Sequence, residues 1–333
     1  MLGENMNILY TCDDNYIWLM GISVISLLKN NRHIAKIDIY VLGEKISTEN
    51  KKLLELISRK YARSINVIDV PDLDIPDTLV SARWPISAFT RLYAGQLLPN
   101  NLEHVLYLDC DTIIRGDISE LDCPDMNECI FCGVKDCIAG RYKKNIGLSP
   151  KDVYINAGVL SINLKRLKEL NINQLLDNYM LRYGKLINYA DQDILNGVFH
   201  NHIGILDARF NVMTIDVTHT YNEICILRNP TNFYSRQELI CAVNNPTIVH
   251  YTTNMRVIRP WFSNSNHPLK DDFFEYFSES PWNNQELEVF RFTSIEAHVI
   301  GIIQVLPPKM ALPILGIIHS IIKPLVIKLR ANK

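Results

Sequence analysis

Residues 105–114 read VLYLDCDTII: an apolar run, two aspartates one residue apart, then apolar sequence again. Aspartate disfavours strand interiors, so Asp109 and Asp111 mark the end of a buried strand rather than its middle. Where strand geometry continues through Cys110, side chains at i and i+2 share a face, and both carboxylates point beyond the strand together. Adjacent negative charges repel unless a cation or a shared proton lies between them. The stretch predicts a strand end that holds a metal ion.

Working outward, strand and helix signals alternate. NILYT (7–11) reads as a strand, and Asp13 or Asp14 caps a helix running to about Asn30 through Ile17, Met20, Val24 and Leu28. IDIYVLG (37–43), a helix opened by Ser47, INVIDV (65–70), a helix over 87–98 ended by Pro99, HVLYL (104–108) and CIFCGVKD (129–136) follow. Farther on come a strand-turn-helix over 154–170, a short helix in YADQDILNGVF (189–199) and a strand in PTIVHYT (246–252). The alternation predicts an α/β fold with a mainly parallel sheet, in which ligands sit beyond the carboxyl ends of the strands. Asp13 and Asp14, the Asp109–Asp111 pair and Asp136 all fall at such ends.

Composition narrows the class further. The 333 residues are 47% hydrophobic and 21% charged, ordinary values for a globular chain, and the formal charge of −2 offers nucleic acid no basic face. No Lys or Arg precedes Lys29 and the first apolar run is only strand-length, so no secretion signal is read. The eight cysteines sit mostly in apolar strand-like runs, and disulfides are not expected. Cys129 and Cys132 form a C-x2-C flanked by Cys123 and Cys137. Within one strand, residues three apart point to opposite faces, so buried thiols are favoured over zinc.

Seven blocks fix the chemistry by their order: DDNYIWLMGISVISLLKN, FTRLYAGQLLP, VLYLDCDTIIRGDISEL, YINAGVLSINLKRL, YADQDILNGVF, RFNVM and IVHYTT…RPWF. Together they resemble the retaining nucleotide-sugar glycosyltransferases of family GT8, the group that includes lipopolysaccharide galactosyl- and glucosyltransferases and glycogenin. The resemblance implies a Rossmann-like GT-A fold over residues 6–290, a UDP-hexose donor and a divalent cation. It gives Asp109, Asp111 and His250 as metal ligands. Two carboxylates and a nitrogen suit Mn2+ somewhat better than Mg2+. Asp13, Asn15 and the backbone near Thr11 match the uridine-binding segment, and Arg91 matches a position close to the donor sugar and its acidic partners. Asp136, Asn156, Asp191 and Gln192 match positions that hold the donor sugar, Asp191 being equally readable as a helix cap.

In the family a basic residue lies six positions after the metal histidine, directly before Pro-Trp. Here that spacing gives Arg256 while Pro-Trp follows Arg259, so either arginine is a candidate for the diphosphate. YLDCDTII also resembles the D-x-D-x-T nucleophile motif of haloacid-dehalogenase-like phosphatases, an alternative weakened by the three strands that precede it. The implied acceptor is a cell-surface glycan or lipid-linked saccharide, with a protein acceptor second.

Residues 295–333 change character. From 297 they carry two apolar stretches, prolines at 307, 308, 313 and 324, five basic residues and no acidic one. The longest uncharged run, Met310 to Ile322, falls short of the roughly 20 residues that span a bilayer. Either this segment is a helix packed on the catalytic domain, or it lies in the interface of an anionic leaflet. The second reading predicts a cytoplasmic enzyme attached peripherally to the inner face of the membrane. It also predicts that deletion from about residue 309 leaves a soluble enzyme.

Overall fold

In the computed structural model, residues 5–71, 73, 86–121, 128–254, 256–294, 300–301 and 307–331 are described. The fold is α/β, as the alternation predicts, around a seven-stranded sheet of order β3-β2-β1-β4-β7-β6-β8. Its strands are β1 (Asn5–Asp13), β2 (Lys36–Glu44), β3 (Ser64–Asp69), β4 (His104–Leu108), β6 (Phe131–Lys135), β7 (Ile155–Asn163) and β8 (Ile203–Ile205). Only β7 runs against its neighbours, pairing antiparallel with both β4 and β6. A second sheet of order β5-β10-β9 joins β5 (Thr112–Ile114), β9 (Val212–Met213) and β10 (Ile248–His250).

Alternating side chains make the large sheet the middle of a three-layer structure. On β4, Leu106 and Leu108 join the core beneath helices α1 (Ile17–Asn30) and α2 (Thr48–Tyr61), whereas Val105 and Tyr107 join the core on the opposite face. Helix α1 is buried almost all round, including Ser23 and Ser26, because it lies between the two sheets. Its polar groups are satisfied there: Ser23 bonds Tyr10 and Thr112, and Ser26 accepts from the Ile114 amide.

Three local expectations change. β4 spans 104–108 as read, but strand geometry does not continue through Cys110: Cys110 and Asp111 form a turn, closed by the Thr112 hydroxyl donating to the Asp109 carbonyl, before β5 leaves for the second sheet. Asp13 and Asp14 do not cap α1 in the ordinary way. Asp13 Oδ1 accepts from the Asn15 and Tyr16 amides just ahead of the helix, and Asp14 instead accepts from Ser47 and Asn50 at the start of α2. Cys132 is disulfide-bonded, whereas thiols throughout were expected; the cellular compartment is a general prior and does not specify which thiols lie within reach. Cys123 lies outside the described residues.

The C-terminal segment is helical from Pro308 to Ala331, with a π-helical turn over Ile318–Ile322. Neither Pro313 nor Pro324 breaks it, and Met310–Ala331 is long and apolar enough to cross a membrane by length and composition alone. The limit set by the uncharged run ending at Ile322 therefore does not hold, since Lys323 lies within one continuous helix. The helix also packs on the body. Asn145 donates to the Pro324 carbonyl at 2.9 Å, and His319 meets Arg228 and Tyr189. At Gly316 an added Cβ would come within 2.1 Å of the Ile226 carbonyl oxygen. Its other face carries Met310, Ile314, Ile317, Ile318, Ile322, Leu325, Val326 and Leu329 in the open. Residues 295–299 and 302–306 of the segment lie outside the described residues.

Candidate active site

A cleft of about 660 Å3 opens at the carboxyl edge of β1 and β4. Thr11, Asp13, Asn15, Arg91, Asp109, Asp111, Asp136, Asn156, Asp191, Gln192, His250 and Arg259 all line it. Of the candidates from sequence, Arg256 alone does not. It is exposed, whereas Arg259 Nη1 lies 3.5 Å from Asp111 Oδ2 and its guanidinium covers Trp261. The reversed direction of β7 explains part of this convergence, because the N-terminal end of that strand meets the carboxyl ends of its neighbours and delivers Asn156 and Gly158.

Among the described residues, one group of His, Cys, Asp and Glu side chains converges as metal ligands do: Asp109, Asp111 and His250, with atoms within 4.8 Å of one another. His250 Nε2 is 3.2 Å from Asp111 and 3.6 Å from Asp109. Burial acts to lower the His250 pKa, but Asp111 and Asp109 outweigh it and raise it. Burial likewise acts to raise Asp111, and His250 with Arg259 outweighs it and holds the carboxyl low. Gly158 is the floor of the cluster: a Cβ there would lie 2.2 Å from the imidazole and 2.9 Å from Asp109. Two carboxylates and an imidazole around a space kept clear of side chains fit a divalent cation.

Arg91 is almost fully buried. Its guanidinium lies 2.9 Å from Asp109, 3.1 Å from Asp191 and 4.3 Å from the centre of the Tyr107 ring, and donates to the Ala157 carbonyl. Arg91 therefore does not reach the surface along its helix, the segment over Ile86–Leu97 having a 3-10 turn at Thr90–Tyr93. Burial raises the Asp191 pKa to about 6, against the opposing pull of Arg91.

Asp191 is not the cap of its helix, Ala190–Phe199. The backbone amides of Asn188 and Tyr189 are taken by Asp193 Oδ2, two residues farther on. Ala190 adopts φ 45°, a left-handed conformation that costs a non-glycine residue about 1 kcal/mol. That turn frees Asp191 and Gln192 to face the cleft. Gln192 is held on every side: its oxygen accepts from Asn156 Nδ2 and the Ala157 amide, and its nitrogen donates to Asp136 and Tyr154.

Sequence reading gave no role to Tyr16, Tyr107, Gly158, Asn211 or Arg228, all of which line or support this cleft. Gly158 sits inside the quoted NAGV block, and a glycine in a strand often marks a close approach. For Arg228 no local signal existed, since it ends an amphipathic helix like any surface arginine.

The sheet order, the carboxyl-edge cleft and the paired aspartates are those of a nucleotide-binding-type α/β enzyme fold with a candidate cation site. Residues 7–265 match Glycosyl transferase family 8, and the chain belongs to that family. It is 28% identical over 290 residues to the lipopolysaccharide 1,2-glucosyltransferase of Escherichia coli, covering 84% of this chain and 80% of that one. It is 25% identical over 297 residues to the lipopolysaccharide 1,3-galactosyltransferase of Salmonella typhimurium, with the same coverage. Among solved structures, the galactosyltransferase LgtC in complex with donor and acceptor sugar analogs superposes with a TM-score of 0.68 at 26% identity, covering 84% of this chain and all of that one. The C-terminal helix lies beyond the family match.

Proposed function

We propose that this chain is a retaining hexosyltransferase that moves glucose or galactose from a UDP-sugar to an envelope glycan or lipid-linked saccharide, with a divalent cation, Mn2+ or Mg2+, at Asp109, Asp111 and His250. The observation that carries the reading is the adjacency of that cluster to the Asp136–Asn156–Gln192 network, which sets a cation site beside a ring of sugar-compatible hydrogen-bonding groups. When bound, the cation neutralises the diphosphate and the charge that develops as UDP departs.

The chain's own residues divide the remaining tasks. Thr11, Asp13 and Asn15 hold the uridine end at the head of α1, and Arg259 meets the diphosphate. Arg91 sets one positive charge between the Asp109 and Asp191 carboxylates and offsets their mutual repulsion. Asp136, Asn156 and Gln192 orient the hexose. A neutral amide is a poor nucleophile, so Gln192 stabilises an oxocarbenium-like state while the acceptor attacks from the face that UDP leaves, the departing phosphate taking its proton. Residues through about 290 form the catalytic body. The exposed apolar face of the C-terminal helix, with Lys323, Lys328 and Arg330 beside it, seats the enzyme on an anionic membrane surface facing the cytoplasm.

The phosphatase alternative falls with the family match, which accounts for the paired aspartates without a phosphorylated nucleophile. The decisive experiment is a screen of UDP-sugars for slow, metal-dependent hydrolysis without acceptor, followed by structure determination of the product formed with cell-envelope lipids. Absence of hydrolysis for every UDP-hexose, with or without Mn2+, would overturn the proposal.

A further inference from the structure

Asn211 has no part in the division of roles above, yet it is fully buried at the centre of the site. It closes the 3-10 turn Ala208–Asn211 that leads into β9, and its side chain bridges two halves of the cleft. On one side, its Oδ1 is 2.9 Å from His250 Nδ1; on the other, its Nδ2 donates to Asn156 Oδ1 at 2.9 Å.

The direction of every bond in this chain follows from one backbone amide. The Gly158 N–H can only donate, and it donates to Asn156 Oδ1 at 2.9 Å. Asn156 Oδ1 is therefore the oxygen end, so Asn211 must present its NH2 there and its own oxygen to His250. An oxygen facing Nδ1 requires that Nδ1 carry the imidazole proton. In the neutral imidazole that would ligate a cation, Nε2, the atom facing Asp111 and Asp109, is then left with a lone pair. The same constraint turns Asn156 Nδ2 toward Asp136 and Gln192, the groups read as sugar-binding.

We infer that Asn211 is a positioning residue that serves both ends of the cleft, fixing the imidazole tautomer for a cation on one side and locking Asn156 for the sugar on the other. Cation binding and sugar binding are thereby coupled through one amide. This inference rests on the metal reading above and adds to it a residue and a linkage.

Two substitutions separate the arms. Asn211→Ala removes both. Mn2+ alone, titrated into the purified full chain and followed by calorimetry or by the free-ion EPR signal, should bind about 10- to 100-fold more weakly than to wild type. Asn211→Asp still accepts from Nδ1–H but has nothing to donate to Asn156. It should keep or strengthen Mn2+ binding while the preference for UDP-glucose or UDP-galactose over UDP, measured at saturating Mn2+, falls at least threefold. Because Asn211→Asp differs by one atom, it keeps the test decisive where the alanine variant does not fold. Equal Mn2+ affinity in wild type and Asn211→Ala, or an unchanged UDP-hexose preference in Asn211→Asp, overturns the proposal. A wild-type chain that binds neither Mn2+ nor Mg2+ removes the metal reading itself and this inference with it.

Discussion

Arg91 Nη1 stands 2.9 Å from Asp109 Oδ1, on the opposite side of that carboxylate from His250. One buried guanidinium thus stands against a half-buried carboxylate for which the DxD stretch by itself predicted a cation or a shared proton. Removing it leaves Asp109 and Asp191 facing each other across the cleft. Arg91→Met should destabilise the protein by about 3–5 kcal/mol, the range for breaking a buried pair from one side, and abolish activity. Chemical denaturation measures the first effect. A loss under 1 kcal/mol would mean the pair carries no net stability.

Asp109→Asn and Asp111→Asn should each lower turnover at least ~100-fold, because each removes charge at the proposed cation site beside the departing diphosphate. EDTA should do the same to the wild type, with recovery on adding Mn2+. Turnover that persists in EDTA would end the metal assignment.

The product glycoside should be α-linked from an α-linked UDP-sugar, read by NMR. Gln192→Ala should depress kcat far more than KM for the donor, since its interaction is proposed to strengthen in the transition state. A β-linked product would contradict retention outright.

Asp216 gives a pH dependence. Burial raises its pKa to about 7, with the Met213 amide donating to Oδ2 and Oδ1 unpartnered. A carboxyl raised on folding favours the folded state at low pH and costs stability as pH climbs from its unfolded value, about 4, toward 7. Asp216→Asn should therefore melt higher than wild type at pH 8, by at least about 1 kcal/mol, and the advantage should vanish near pH 4. An advantage independent of pH would point to repacking instead.

The C-terminal helix calls for surface substitutions rather than deletion. Truncation at 309 would strip Ser320 and Pro324 from buried positions and His319 from its contacts with Arg228 and Tyr189, so loss of solubility would not report on membranes. Replacing Ile317, Ile318 and Ile322 together by Ser alters exposed positions only. That variant should leave the membrane fraction without high salt or alkaline wash while its melting temperature stays within a few degrees. Retention in the membrane pellet would refute the docking surface.

Which parts were legible from the residues follows from how local their causes are. Strand and helix periodicity, and the DxD at the end of an apolar run, are local, and β1, β4, Asp109 and Asp111 were found directly. His250 came through the family resemblance, since a lone strand-end histidine carries no signature. The order β4-β7-β6 and the second sheet depend on pairings between distant segments, which periodicity does not encode. Asp191 could also be read as a cap because capping preference is stated by residue type; in the structure no side chain caps that helix, and Asp193 takes the Asn188 and Tyr189 amides just ahead of it. The C-terminal helix read as two alternatives because composition cannot tell which face of a helix is already covered. One face packs on the body, and the other is apolar and exposed.

The antiparallel direction of β7 bears on how the protein is made. Leu108 pairs with Val159, and His250, far later in the chain, pairs with Thr112. A nascent chain emerging residue by residue can form β1, β2 and β3 early from neighbouring segments. It has no complete cation site until β10 has been synthesised and has found β5. Contacts of such sequence separation form slowly. Cation uptake would therefore act as a late reporter of maturation, since a chain stalled before Ile248 lacks His250, the third member of the candidate cluster.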